Sequence, residues 1–262
     1  VRVSGIGIGA RRRVAAAALV GAIAVAALVG ASAPAGQAAA VARPASNELT
    51  VLGAASLSTV LPKIATENYT FAGSGGLEAD IEQGAPADVY ASANPKDQDA
   101  LYAKGLVYKP VEFATNTLVM IVPQDNPAHI TTVGDITRKG VKIVVCNVNE
   151  PCGDYASTVF ANLGITKAAD RNIVSQETDV TQVLAEIAAG QGDVGFVYIT
   201  DALTAKGKVR YITLPAKAMP GAQDWIAVVK ATKQRAAANA FVKLVLSARG
   251  QTILKAAGFG AP

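Results

Sequence analysis

Three short segments, far apart in the chain, each set a small or hydroxyl-bearing residue where a helix is predicted to start. They are Gly53-Ala54-Ala55-Ser56-Leu57, Phe71-Ala72-Gly73-Ser74-Gly75-Gly76-Leu77 and Pro151-Cys152-Gly153-Asp154-Tyr155. A helix start leaves backbone N–H groups without intrahelical partners and carries a partial positive charge, so several aimed at one point receive a small anion. Ser56 stands at a strand-to-helix junction, where its hydroxyl either caps its own helix or donates outward to a ligand. Ser74 has Gly73, Gly75 and Gly76 around it. Glycines let backbone N–H groups approach an anion closely, and they also make plain turns.

Other residues join this set with a bland reading beside the functional one. Tyr198 ends the apolar run Gly195-Phe196-Val197-Tyr198. At the C-terminal end of a parallel strand its phenol either points into a ligand crevice or sits at the rim of the core. Asp179 reads as the N-cap of the helix that Val180 begins, which leaves the Val180 N–H available to an anion at that helix start. Cys146 and Cys152 bracket five residues and are placed to close a small disulfide loop. The competing reading is a reactive thiolate at Cys152, favoured by a helix N-terminus.

Catalytic readings find little support in the residues. A nucleophile elbow requires G-x-S-x-G, and Ala72 occupies the position of its first glycine before Ser74. His129 is the single histidine and follows Asp125-Asn126-Pro127 in what reads as a surface turn. A Ser or Cys hydrolase would need it as the base for Ser74 or Cys152. No Cys and His cluster has metal-ligand spacing, and no G-x-x-x-x-G-K-[ST] phosphate loop occurs. The expectation is a binding protein, not an enzyme, with no cofactor.

Alternating strands and helices must hold these residues. Strands are predicted at Leu49 to Gly53, Tyr69 to Ala72, Asp88 to Ser92, Val141 to Cys146 and Val194 to Tyr198. Helices are predicted from Leu57 through Ile64, from Gly76 to Gln83, from Lys96 to Lys104, along Ala156, Val159, Phe160 and Leu163, and along Val180, Val183, Leu184, Ile187 and Ala188. Pro62 falls within the first two turns of the first of these helices, an awkward position for proline. Strands separated by helices imply βαβ units and a mostly parallel sheet. Two long strand-like runs, Val111 to Val122 and Trp225 to Val229, either carry the chain between two lobes or form the centre of one doubly wound sheet.

The chain's 262 residues carry 24 basic and 20 acidic side chains. Arg2, Arg11, Arg12 and Arg13, with no acid among the first forty residues, account for the whole excess. Residues 41–262 are therefore neutral overall, which argues against nucleic acid or an anionic membrane as partner. Arg11 to Arg13, the apolar run from Val14 to about Ala31 and the ending Ala38-Ala39-Ala40 have the parts of a secretory signal peptide cleaved after Ala40. A retained anchor is the alternative reading of the same run. Export by the general or the twin-arginine route is left open. An exported location is expected, periplasmic or at the cell surface.

Taken together, Ala54-Ala55-Ser56-Leu57, Phe71-Ala72-Gly73-Ser74, Glu82-Gln83-Gly84-Ala85-Pro86-Ala87-Asp88-Val89, Asn116-Thr117-Leu118-Val119, Pro151-Cys152-Gly153 and Val197-Tyr198-Ile199-Thr200-Asp201-Ala202 resemble the molybdate-binding periplasmic proteins of ABC importers. The match runs in order from about Leu49 to Pro262. The resemblance implies an α/β, two-lobed periplasmic-binding-protein fold of type II, each lobe a mostly parallel sheet flanked by helices, with the ligand in the cleft. Its expected parts are a leader over 1–40, a leader tail over 41–48, lobe I over 49–113 and 226–262, and lobe II over 114–225. It further implies a monomer that takes molybdate, and tungstate with it, and delivers the anion to a membrane permease. The family's anion contacts fall on the hydroxyls of Ser56, Ser74 and Tyr198 and on the amides of Cys152 and Val180. The stretch between Ser56 and Ser74 is shorter here than in the family, and Cys152 stands where the family has a small apolar residue. Such a site offers donors only, which suits a fully deprotonated dianion. Hydrogen phosphate would want a carboxylate acceptor, and only Asp179 is adjacent. A sulfate or phosphate receptor is the alternative within the fold.

Overall fold

The computed structural model describes residues 48–219 and 221–262, so the leader expected over 1–40 and most of its tail lie outside the described residues. The chain opens with β1 (Thr50–Ala54), a single 3₁₀ turn (Ala55–Leu57), α1 (Leu61–Ile64), β2 (Asn68–Ala72), α2 (Ser74–Glu82), β3 (Val89–Ser92), α3 (Pro95–Ala103) and β4 (Val111–Asn116). It continues with β5 (Leu118–Pro123), β6 (Ile143–Cys146), α4 (Pro151–Asn162), α5 (Thr166–Asp170), β7 (Ile173–Glu177), α6 (Val180–Ala188), β8 (Val194–Tyr198), α7 (Ile199–Thr204) and β9 (Val209–Thr213). It closes with β10 (Ala222–Val228), α8 (Arg235–Leu246) and α9 (Ala248–Ala256).

These strands form two five-stranded sheets of one topology, ordered β2-β1-β3-β10-β4 and β7-β6-β8-β5-β9. In each sheet four strands run one way and a single strand, β10 or β5, runs antiparallel to both neighbours. That odd strand is the one that arrives from the other sheet. β5 follows β4 across Thr117, and β10 follows β9 of the second sheet. The run from Val111 to Val122 is thus two strands in two sheets, not one long strand. β4 pairs with β10 through Asn116, and β10 begins at Ala222, so residues 114–116 and 222–225 hydrogen-bond within the first sheet.

Burial on both faces explains the near-continuous apolar runs. Along β1, Val51 faces a core with Leu61, Ile64, Phe241 and Val245, while Leu52 faces a second cluster with Leu77, Ile81, Tyr90 and Leu101. A strand covered by helices on both sides has no polar face to show. In the second sheet, Val180, Val183, Leu184 and Ile187 present the buried stripe of α6.

The helix predicted from Leu57 through Ile64 is the main departure. A 3₁₀ turn and a four-residue α1 replace it, with Pro62 in the first two positions of α1. Pro62 has no N–H to offer the preceding turn, and its ring clashes there, so a continuous helix cannot pass through it. The strands β7 and β9 and the helices α5, α7, α8 and α9 are additions to the elements expected from the sequence.

Candidate functional site

Ordering both sheets the same way puts the C-terminal ends of six parallel strands opposite one another. In such sheets the crevice beyond the strand ends, where strand order reverses, is where ligands bind. The end of β1 delivers Ala54 and Ser56, the end of β2 delivers Gly73 and Ser74, and the residue after β3 is Ala93. From the second sheet come Glu150 and Cys152 beyond β6, Asp179 and Val180 beyond β7, and Tyr198 at the end of β8. All of them line one cavity, which therefore gathers Ser56, Ser74, Cys152, Val180 and Tyr198 from both sheets.

The cavity is small. It has room for one small ion and none for a sugar or an amino acid.

Its walls supply donors. Ser56 and Tyr198 are 4% and 2% exposed, and neither hydroxyl has a hydrogen-bond partner in the protein. Buried hydroxyls are normally paired, so two orphans on one cavity wall are informative. Burial raises the Tyr198 phenol far above its usual range, with Tyr155 and the acid Asp224 adding to the shift, so it stays a protonated donor. Ser74 accepts from the Ala93 N–H at 3.1 Å through its Oγ, which leaves its own proton to donate.

Backbone donors come from two helix starts. Pro151 has no N–H, so Cys152 is the first residue of α4 able to donate one. Asp179 caps α6 by accepting from the N–H groups of Thr181 and Gln182, at 2.8 and 3.2 Å, and does not take that of Val180.

Two acids also line the cavity, and both are engaged. Glu150, which the sequence reading did not single out, accepts from Gly75 N–H at 3.0 Å and from Gly76 N–H at 3.1 Å. Asp179 holds its own helix cap and accepts from the Gln182 side chain at 3.2 Å. The α2 start is accordingly occupied by a protein carboxylate, and its contribution to the cavity rests on Ser74. The glycines there have a different use from the one expected. A Cβ on Gly73 would lie 2.2 Å from Glu150 Oε2, and one on Gly75 would lie 2.5 Å from the Asn149 carbonyl oxygen.

Cys146 and Cys152 are joined in a disulfide with Cα atoms 5.7 Å apart, which removes the reactive-thiolate reading. The bridge closes the loop that carries Glu150 and fixes the Cys152 amide. Replacing both cysteines by serine is expected to lower unfolding free energy by about 2 kcal/mol for a loop this short. Chemical denaturation checks this; an unchanged midpoint would show that the loop's backbone hydrogen bonds suffice. His129 sits at positive φ in the turn after β5 and is not among the cavity-lining residues. Among the described residues no group of three or more His, Cys, Asp or Glu is placed to hold a metal ion.

Comparison with known proteins places these features in context. Residues 49–260 match the family model described as bacterial extracellular solute-binding protein. The molybdate-binding protein ModA of Mycobacterium tuberculosis is 37% identical over 228 residues, covering 83% of this chain and 86% of the relative. ModA of Escherichia coli is 29% identical over 233 residues, covering 81% and 88%. Among solved structures, the periplasmic molybdate-binding protein of Azotobacter vinelandii superposes with a TM-score of 0.74 at 23% identity, covering 82% of this chain and 100% of that one, a likeness of fold.

Proposed function

This chain belongs to the bacterial extracellular solute-binding protein family, and we propose that it is an extracytoplasmic receptor that captures molybdate, with tungstate as a second ligand, for an ABC permease. The observation that carries this reading is the pair of unpartnered buried hydroxyls, Ser56 and Tyr198, on the wall of one small cavity that both sheets line. In our reading they bind the anion together with the Ser74 hydroxyl and the Cys152 and Val180 amides. We set the lobe boundaries between residues 116 and 117 and between 221 and 222, and we read the protein as a monomer with its leader removed near Ala40.

The donor set chooses among anions. Molybdate, tungstate and sulfate are dianions without a proton at neutral pH, so each oxygen only accepts. Hydrogen phosphate must also donate, and the two carboxylates on the cavity wall already accept from backbone and side-chain N–H groups. Hydrogen bonds to a charged group contribute roughly 1.5 to 3 kcal/mol each, so five donors offset much of a dianion's desolvation without lysine or arginine. Sulfate presents the same charge and shape in a smaller volume, so selection between it and molybdate rests on the size of the cavity.

Isothermal calorimetry with molybdate, tungstate, sulfate and phosphate tests this. Molybdate and tungstate are expected to bind at least about tenfold more tightly than sulfate, a difference of about 1.4 kcal/mol, and phosphate most weakly. Equal affinity for molybdate and sulfate, or no heat with either, would overturn the assignment.

A further inference from the structure

We propose that Glu150 is a latch between the two lobes, a positioning residue that holds the cleft closed by capping the start of α2 from the opposite side. α2 has no cap of its own. Its N-cap residue is Gly73, which has no side chain, and its first turn contains no acid. The four N–H groups at a helix start need partners. Here two of them, on Gly75 and Gly76, are met by separate oxygens of a carboxylate about 75 positions away in sequence, on the lobe built around the second sheet.

The surroundings are shaped for this contact. Glu150 is the N-cap residue of α4, so the β6–α4 loop that ends in the Cys146–Cys152 disulfide sets its backbone. On the opposite side, glycine is the residue that lets the lobes approach. A Cβ on Gly73 would meet both Glu150 Oε2 and the Thr178 carbonyl oxygen, at 2.2 and 2.3 Å, and a Cβ on Gly75 would meet the Asn149 carbonyl oxygen. A second contact accompanies the first: the Tyr155 hydroxyl of α4 donates to the Ala93 carbonyl at 3.3 Å, beyond β3 of the first sheet. Glu150 is left only 8% exposed.

The latch is balanced against its own burial. Desolvation raises the carboxyl's pKa, the two glycine N–H groups lower it, and the nearby Asp179 carboxylate raises it, with a net upward direction.

The role rests on the receptor reading above, and the test separates the two. In the full-length protein, Glu150→Asp keeps the charge at the cavity wall but is too short to span both N–H groups, Glu150→Ala removes both, and Gly73→Ala blocks the approach while leaving Glu150 in place. Stopped-flow dissociation of molybdate is expected to be about tenfold faster in all three. Hydrogen exchange of the ligand-free protein is expected to accelerate at Gly75 and Gly76 in all three variants, with Leu77 to Glu82 unchanged. That arm reads the latch even if calorimetry detects no molybdate. Unaltered exchange at the two glycines would overturn the proposal. So would slower release from Glu150→Ala with Glu150→Asp at the wild-type rate, which would make Glu150 a repulsive wall.

Discussion

Replacing Tyr198 by Phe is expected to weaken molybdate binding by roughly ten- to hundredfold, while the ligand-free protein melts no lower than wild type. The two halves of that result follow from one observation. The phenol is buried without a partner in the protein, so the fold bears the cost of its desolvation and gains no hydrogen bond in return. Deleting the hydroxyl removes that cost. In the complex the same hydroxyl donates to a charged oxygen, and losing it forfeits about 1.5 to 3 kcal/mol. Ser56→Ala is expected to behave alike, since Ser56 Oγ is orphaned in the same way. Ser74→Ala is the useful contrast. Ser74 Oγ also accepts the Ala93 N–H, so its removal weakens ligand binding and leaves a buried backbone donor unpaired. Calorimetry and thermal melts on the three variants separate these cases. Unchanged affinity in Tyr198→Phe would make the ring an ordinary core aromatic, packed edge-on against Tyr155.

The same distinction governs what could be read from the sequence. Ser56, Ser74, Cys152, Val180 and Tyr198 were legible as candidates because each stands at a strand end or a helix start, and those positions are local in sequence. From pattern alone the two-sheet arrangement is one of two options, since the run from Val111 to Val122 has no glycine or proline to mark the break at Thr117; the family resemblance selects it. Pro62 announced its own effect, and the short α1 follows from it. β7 is not legible because only Ile173 and Val174 are apolar, followed by Ser175, Gln176 and Glu177, too few to show an alternating pattern.

Glu150 escaped notice for a different reason. Its meaning comes from Gly75 and Gly76, and no local pattern joins residues so far apart. One signal was nevertheless available. Pro151 favours the first position of a helix, which makes Glu150 its N-cap residue. An acid fixed at a helix start that was being read as part of an anion site is a local contradiction, and such conflicts concentrate at functional positions. The glycines around Ser74 carried the complementary half of that signal. Their number suggests clearance for an anion, whereas in the structure Gly73 and Gly75 give clearance to the opposite lobe.

Gly153→Ala is expected to be the most damaging single methyl in the molecule's binding region, costing about 3 kcal/mol of stability and most of the affinity with it. A Cβ at Gly153 would lie 2.1 Å from the Asn147 carbonyl oxygen, 2.5 Å from its carbon and 2.6 Å from the Cys146 carbonyl oxygen. All three are backbone atoms, so no side chain can swing aside. They also belong to a loop tied by the Cys146–Cys152 disulfide, whose ends cannot drift apart. The strain must therefore move the first turn of α4, which holds the Cys152 amide and, through its N-cap, Glu150. Stability and binding should fall together, unlike the separation expected for Tyr198→Phe. Gly134→Ala serves as the control, because a Cβ there meets only Thr132 Oγ1, at 3.6 Å and in ordinary contact. It should melt within about 1 kcal/mol of wild type. Denaturation of Gly153→Ala at the wild-type midpoint would show that the loop relaxes far more freely than its closure by the disulfide allows.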